Sequence, residues 1–174
     1  MTKKRIIIGI DPDTEKSGIG YVSILQGDTP GAKPSIEVGL CALPFPEAID
    51  YLTSMAENAS TTDKIKLKVY VEAGWMESIS NYRKGWSARQ STRIAKNVGA
   101  NHQTGKHIIE MLQHHDIPVQ PVHPLRKCWK GKDRKITHEE LDQIVGGLPH
   151  KRTNQEERDA LLLAWVFAEL PIRI

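Results

Sequence analysis

Ile6-Ile7-Ile8-Gly9-Ile10-Asp11-Pro12-Asp13-Thr14 is the stretch on which the reading of the fold turns. Its opening run is apolar, β-branched and uninterrupted, as expected of a strand covered on both faces. Asp11-Pro12-Asp13-Thr14 then turns the chain, and Gly18 to Ile24 reads as a second strand. Gln26 to Pro34 is rich in Gly, Pro and Asp and closes a hairpin. Ser35 to Ala42 alternates as a third strand, so the first third of the chain is an antiparallel meander.

Further along, Pro44 to Asn58 places Ile49, Leu52, Met55 and Ala56 at helical spacing. Leu67 to Glu72 is a fourth strand, and Gly74 to Ser87 lacks any period and reads as a mobile loop. A long helix follows from Ala88 to His114, with Ile94, Val98, His102, Ile108, Ile109 and Leu112 as inner positions. Ile117 to Val122 is a fifth strand. Thr137-His138-Glu139-Glu140 is a capping box for a short helix that ends at Gly146-Gly147. Asn154, or Thr153 before it, caps a last helix reaching about Leu170. The order β-β-β-α-β-α-β-α-α predicts an α/β fold with a mixed sheet and helices on its faces, in one domain over residues 1–174.

Composition sets the class. The chain has 174 residues, of which 39% are hydrophobic and 26% charged, as in an ordinary globular domain. No apolar run reaches the roughly 20 residues of a membrane span. The start leads into a strand rather than a signal-peptide core, and a cytoplasmic location is expected. Cys41 and Cys128 have neither disulfide nor zinc spacing, and the seven histidines form no ligand motif. The net charge of +3 is mild, but its distribution is uneven. Arg126 to Lys135, and Tyr82 to Trp86 with Arg89, Arg93 and Lys96, interleave positive charge with aromatics, as nucleic-acid surfaces do. For any single cation an ordinary solvated face is the simpler account.

Three carboxylates stand out by position. Asp11 ends the first strand and Glu72 ends the fourth, and strand ends are where α/β folds build sites. If the two strands are neighbours, the acids face one crevice and need a cation or a raised pKa. Asp159 joins them from the first turns of the last helix, where it precedes the apolar run from Ala160. Glu156, three residues earlier, shares its helical face. Several carboxylates from separate elements are what a two-metal phosphodiesterase site requires. Glu72 and Asp159 are hard to explain otherwise, since a charge beside an apolar run is costly if buried unpaired, but other acids have an ordinary explanation. Asp11 before Pro12 forms a turn, Glu156 fits a capping box with Thr153, and Glu157 reads as a solvated helix residue.

Ile8-Gly9-Ile10-Asp11-Pro12, Gly18-Ile19-Gly20-Tyr21, Val71-Glu72 and Glu156-x-x-Asp159-Ala160-Leu161 together resemble the RuvC family of Holliday junction resolvases, within the ribonuclease H-like superfamily. The resemblance runs from Arg5 to about Ala168. It implies a ribonuclease H-like, five-stranded mixed sheet with helices on both faces, its first three strands antiparallel. It also implies an Mg²⁺-dependent endonuclease (Mn²⁺ substituting) with two ions per site, held by Asp11, Glu72, Glu156 and Asp159. By the same resemblance Trp75 meets the junction centre and Lys135 the cleaved phosphate. Arg83, Lys84, Arg89 and Lys132 are further candidates for DNA contact. The implied partners are branched DNA, a second copy of the chain across the long helix, and branch-migration machinery. The sequence departs from the family at Asp13, where glycine is usual and positive φ is often needed, at Glu156, and in the loop after Glu72.

Alternatives stay open: a ribonuclease H-like nuclease acting on RNA/DNA hybrids or replication intermediates, or a non-catalytic nucleic-acid-binding domain. A sugar-kinase or actin-like ATPase also begins with a strand, Asp and a Gly/Thr-rich turn, but needs two such domains.

Overall fold

The computed structural model describes residues 3–27, 29, 31–62, 64–77 and 87–173. Strands β1 (Lys3–Asp11), β2 (Ser17–Gln26) and β3 (Ser35–Leu43) form the antiparallel meander. Helix α1 (Phe45–Ser60) leads to β4 (Ile65–Glu72), and α2 (Ala88–His114) to β5 (Val119–Val122). Helices α3 (His138–Val145) and α4 (Gln155–Phe167) complete the chain. The sheet order is β3-β2-β1-β4-β5, with β4 parallel to β1 and β5 parallel to β4. This is the expected five-stranded mixed sheet, its first three strands antiparallel.

The strand period sorts β1 between two cores. Ile6, Ile8 and Ile10 face α1 and α2, where they meet Ile49, Leu52, Ile108 and Leu112. Ile7 faces the other side, against Leu161, Leu163 and Trp165 of α4 and Leu141 of α3. Helices therefore cover both faces. Residues Ala160 to Trp165 are all buried, because α4 is enclosed by the sheet on one side and α3 on another. Each buried leucine there contributes about 1.5–3 kcal/mol.

Three glycines set how closely α4 lies on the sheet, Gly20 against the Leu161 backbone among them. A Cβ on Gly9 would strike the carbonyl oxygen of Ala160, and one on Gly18 the carbonyl oxygen of Glu156. With no side chain at these points, the first turns of α4 settle against the C-terminal end of β1. That is what carries Asp159 toward Asp11.

Three details differ from the sequence reading. The capping partner of Asn154 is Glu157, whose carboxylate accepts from the Asn154 N–H at 2.8 Å while Asn154 Oδ1 accepts from the Glu157 N–H at 2.8 Å. Asn154 rather than Thr153 is the N-cap, which shifts the box by one residue and leaves Glu156 outside it. Asp13 does not take positive φ. Its carboxylate instead accepts from the Glu15 and Lys16 N–H groups, a side-chain turn that does the work of glycine. Finally, α2 buries only Gly105, Ile108 and Leu112. Ile94, Val98, His102 and Ile109 are half-buried, so the first half of α2 stands off the core. No helix among the described residues is long and apolar enough to cross a membrane.

Candidate active site

Parallel pairing puts Ile10 of β1 opposite Val71 of β4, so Asp11 and Glu72 leave adjacent strands at the same sheet end. Asp159 enters from α4. These three acids and Lys135 line one pocket of about 60 Å³, with Leu125, Arg126, Lys127, Trp129, Ile136 and Leu162 around them. Among the described residues, the carboxylates of Asp11 and Glu72 have no hydrogen-bond or ion-pair partner. Burial pushes the Asp11 carboxyl well up from its ordinary range, and the charges of Glu72 and Asp159 push it further, against the pull of Lys135. Glu72 is raised too, first by burial and then by Asp159, while Lys127 and Lys135 work the other way.

Among the described residues, Asp159 is the one acid of the pocket with direct partners. Lys135 Nζ donates to its Oδ2 at 3.1 Å. Gln155 Nε2, one helical turn earlier, donates to Oδ1 at 2.7 Å. Gln155 is held in turn by Arg158, whose Nη2 donates to Gln155 Oε1 at 2.9 Å and whose Nε donates to the Ile136 carbonyl. For Lys135, burial works against the charge, but the attraction of Asp159, then of Asp11 and Glu156, outweighs it and raises the ammonium above its usual range.

A folded loop presents Lys135. The Trp129 N–H donates to the Arg134 carbonyl and the Gly131 N–H to the Lys135 carbonyl, with Asp133 and Arg134 both at positive φ. Glu140 fastens the loop to α3. Its buried carboxylate accepts from the Lys130 N–H and also closes the capping box with Thr137.

The other strand end is fixed by α2. Asn101 Oδ1 accepts from the Thr14 N–H at 3.2 Å, and Asn101 Nδ2 donates to Asp13 Oδ2 at 3.3 Å. Trp75, in a 3-10 turn over Gly74–Met76, packs against Gly105, which Pro12 also approaches. His102 meets its ring edge-on at 6.0 Å, and Lys106 Nζ lies 5.7 Å from the ring centre. Trp75 is thus half-buried against α2 rather than standing free.

The remaining predicted residues are dispersed. Glu156 is close enough to act on Asp11 and Lys135 by charge, but it does not line the pocket. Arg89, Arg93 and Lys132 are exposed, the first two on α2 and the last beside the Lys135 loop. Tyr82, Arg83, Lys84 and Trp86 lie outside the described residues. His123 pairs with Glu77 at 3.1 Å near the surface. Sequence reasoning missed Gln155 and Arg158 as the groups that orient Asp159, though Gln155 stands one turn before Asp159. It also passed over Arg126 and Lys127 as single residues, although both lie in the basic run.

Among the described residues, no three His, Cys, Asp or Glu side chains are disposed to hold an ion as they stand. The donor chemistry nonetheless fits a hard divalent cation. The acids of the pocket offer carboxylate oxygens, and two of these carboxylates, Asp11 and Glu72, have no partner among the described residues and lie where burial disfavours their charge. The ammonium of Lys135 lies against Asp159.

No protein-family model matches the chain, and no curated protein matches it in sequence. Among solved structures, Thermus thermophilus RuvC is 17% identical over 95% of this chain and 97% of its own, with a TM-score of 0.44. T. thermophilus RuvC in complex with Holliday junction substrate is 18% identical over 94% and 92%, with a TM-score of 0.43. A Ppx/GppA family member from Aquifex aeolicus is 13% identical over 71% of this chain and 36% of that one, with a TM-score of 0.42.

Proposed function

We propose that this chain is a divalent-metal-dependent nuclease acting on branched DNA, in the manner of a Holliday junction resolvase. The observation that carries the reading is the meeting of Asp11, Glu72 and Asp159, from two neighbouring parallel strands and one helix, in a single small pocket. At about 60 Å³ the pocket has room for ions and a few waters and is far too small for a nucleotide. A substrate must therefore lie across its mouth, as a polymer backbone does. The branched substrate itself is drawn from the sequence motifs around Asp11, Glu72 and Asp159.

Asp11, Glu72 and Asp159 would hold the cation, with Glu156 adding negative charge from the next turn of α4. A bound Mg²⁺ supplies a Lewis acid and an activated water. The chain's own residues do the rest. Gln155 and Arg158 keep the Asp159 carboxylate turned into the pocket. Arg126 and Lys127 on the rim offer charge to the phosphates flanking the cut, and Lys135 offers an ammonium to the cut phosphate itself. Two symmetric cuts would require a homodimer. The half-exposed first part of α2 is the surface for it, and sedimentation with and without DNA tests this.

Cleavage of a four-way junction, a flap, single strands and an RNA/DNA hybrid, each in Mg²⁺ and Mn²⁺, tests the proposal. The junction is expected to be cut fastest, and Asp11→Asn to lose cutting while still binding. Preference for the hybrid would replace this substrate with another. The Lys135–Asp159 ion pair favours one second reading, a non-catalytic nucleic-acid-binding domain. Absence of Mn²⁺ binding at millimolar concentration would select it.

A further inference from the structure

We infer that Lys135 is a built-in counter-ion that must leave Asp159 before a divalent cation can enter, so that the site fills with metal and phosphodiester together. The inference rests on the reading of this pocket as a cation site.

Asp159 has two carboxylate oxygens, and both are taken. Oδ1 is bound to Gln155, which Arg158 and the Ile136 carbonyl hold from behind. Oδ2 is bound to Lys135 Nζ at 3.1 Å. Oδ1 is held in place by Gln155, so an ion that joins Asp11 and Glu72 to Asp159 through Oδ2 meets the ammonium there. An ammonium cannot stay 3.1 Å from that oxygen while a dication binds it, because like charges repel strongly in so small a volume. Lys135 is one-third exposed at its side chain, so it has a way out toward the pocket mouth.

Leaving costs the ammonium its partner. With no nucleic acid present it is released to water. With a phosphate across the mouth it exchanges one anionic oxygen for another. Phosphate at the mouth therefore lowers the cost of cation entry, and by linkage the cation strengthens phosphate binding to the same degree. Lys127 differs in kind: it lines the same pocket and acts on Glu72 by charge, but makes no ion pair with Asp159.

Mn²⁺ binding to the DNA-free protein, followed by electron paramagnetic resonance, tests this in native, Lys135→Met and Lys127→Met chains. Removing either charge should tighten binding somewhat. Removing Lys135 should tighten it by about tenfold more than removing Lys127, because a competing contact goes with it. A native-protein measurement needs no variant: the rate at which acetic anhydride labels the Lys135 amine, read by mass spectrometry. Labelling should speed up on saturation with Mn²⁺ and slow again when a four-way junction is added in Ca²⁺. Equal Mn²⁺ affinities for the two variants, or Lys135 labelling unchanged by Mn²⁺, would overturn the counter-ion role and leave the metal site standing. No Mn²⁺ binding by any of the three chains would remove the metal site and this inference together.

Discussion

The surroundings of Asp11 disfavour its charged form. Burial and the neighbouring acids raise its carboxyl in the folded state, so the folded chain binds its proton more readily than the unfolded chain does. Stability therefore falls as pH rises from the ordinary carboxylate range through the folded value, and the strain is fully present above it. Glu72 adds to the same trend. Asp11→Asn removes this charge without changing size. In EDTA at pH 7 it should melt higher than the native chain by about 2–4 °C, corresponding to about 1 kcal/mol, while cutting nothing. The margin should close as pH falls into the ordinary carboxylate range, below the raised folded value of Asp11. A native chain that melts higher than Asp11→Asn at pH 7 would show that Asp11 is well solvated after all. Such a trade of stability for an acid cluster was legible in the sequence at Asp11 and Glu72, because both terminate β-branched strands. The hold on Asp159 was not, since it depends on a lysine 24 residues away.

At the scale of elements, the register of α4 on the sheet sets the site. Gly18→Ala should cost about 1–3 kcal/mol and lower cleavage, because the new methyl meets the backbone of Glu156 and must push the first turn of α4 outward. Gly99→Ala provides the contrast. Its position is exposed in mid-helix, and a Cβ there meets nothing within 4 Å. Exchange should stabilise α2 by about 0.5–1 kcal/mol. Thermal melting of both variants reads the difference, and a harmless Gly18→Ala would mean that the close approach at Gly18 does not set the register of α4 on the sheet. The element order, the three-stranded meander and both faces of the sheet were readable because strand and helix periods are local properties. The box at Asn154 was misplaced by one residue. Thr153 and Asn154 both cap well and are followed three residues on by Glu156 and Glu157, and only the packed helix decides between them. The standing of α2 was misjudged for a related reason: Ile94 and Val98 have core spacing, but both are only half-buried in the packed structure.

Across the whole molecule, charge is arranged by end. Acids gather where β1 and β4 finish, and Arg126, Lys127, Lys130, Lys132 and Lys135 come from the segment beside that end. Lys3 lies at the opposite end of β1, roughly 27 Å away along the strand. A net charge of only +3 is too small to pull DNA to the surface indiscriminately, so binding should depend on the local group. Each phosphate contact releases counterions, which makes affinity fall with salt in proportion to the number of contacts. Lys132→Ala should reduce the slope of log affinity against log salt by about 1 and weaken binding alike for junctions of different sequence. Lys3→Ala should leave the slope unchanged. Fluorescence anisotropy over a salt series, with Ca²⁺ in place of Mg²⁺ to prevent cutting, measures both. Equal losses from the two lysines would point to diffuse attraction over the whole surface, and the basic segment would then have no special claim to the backbone lying across the acids.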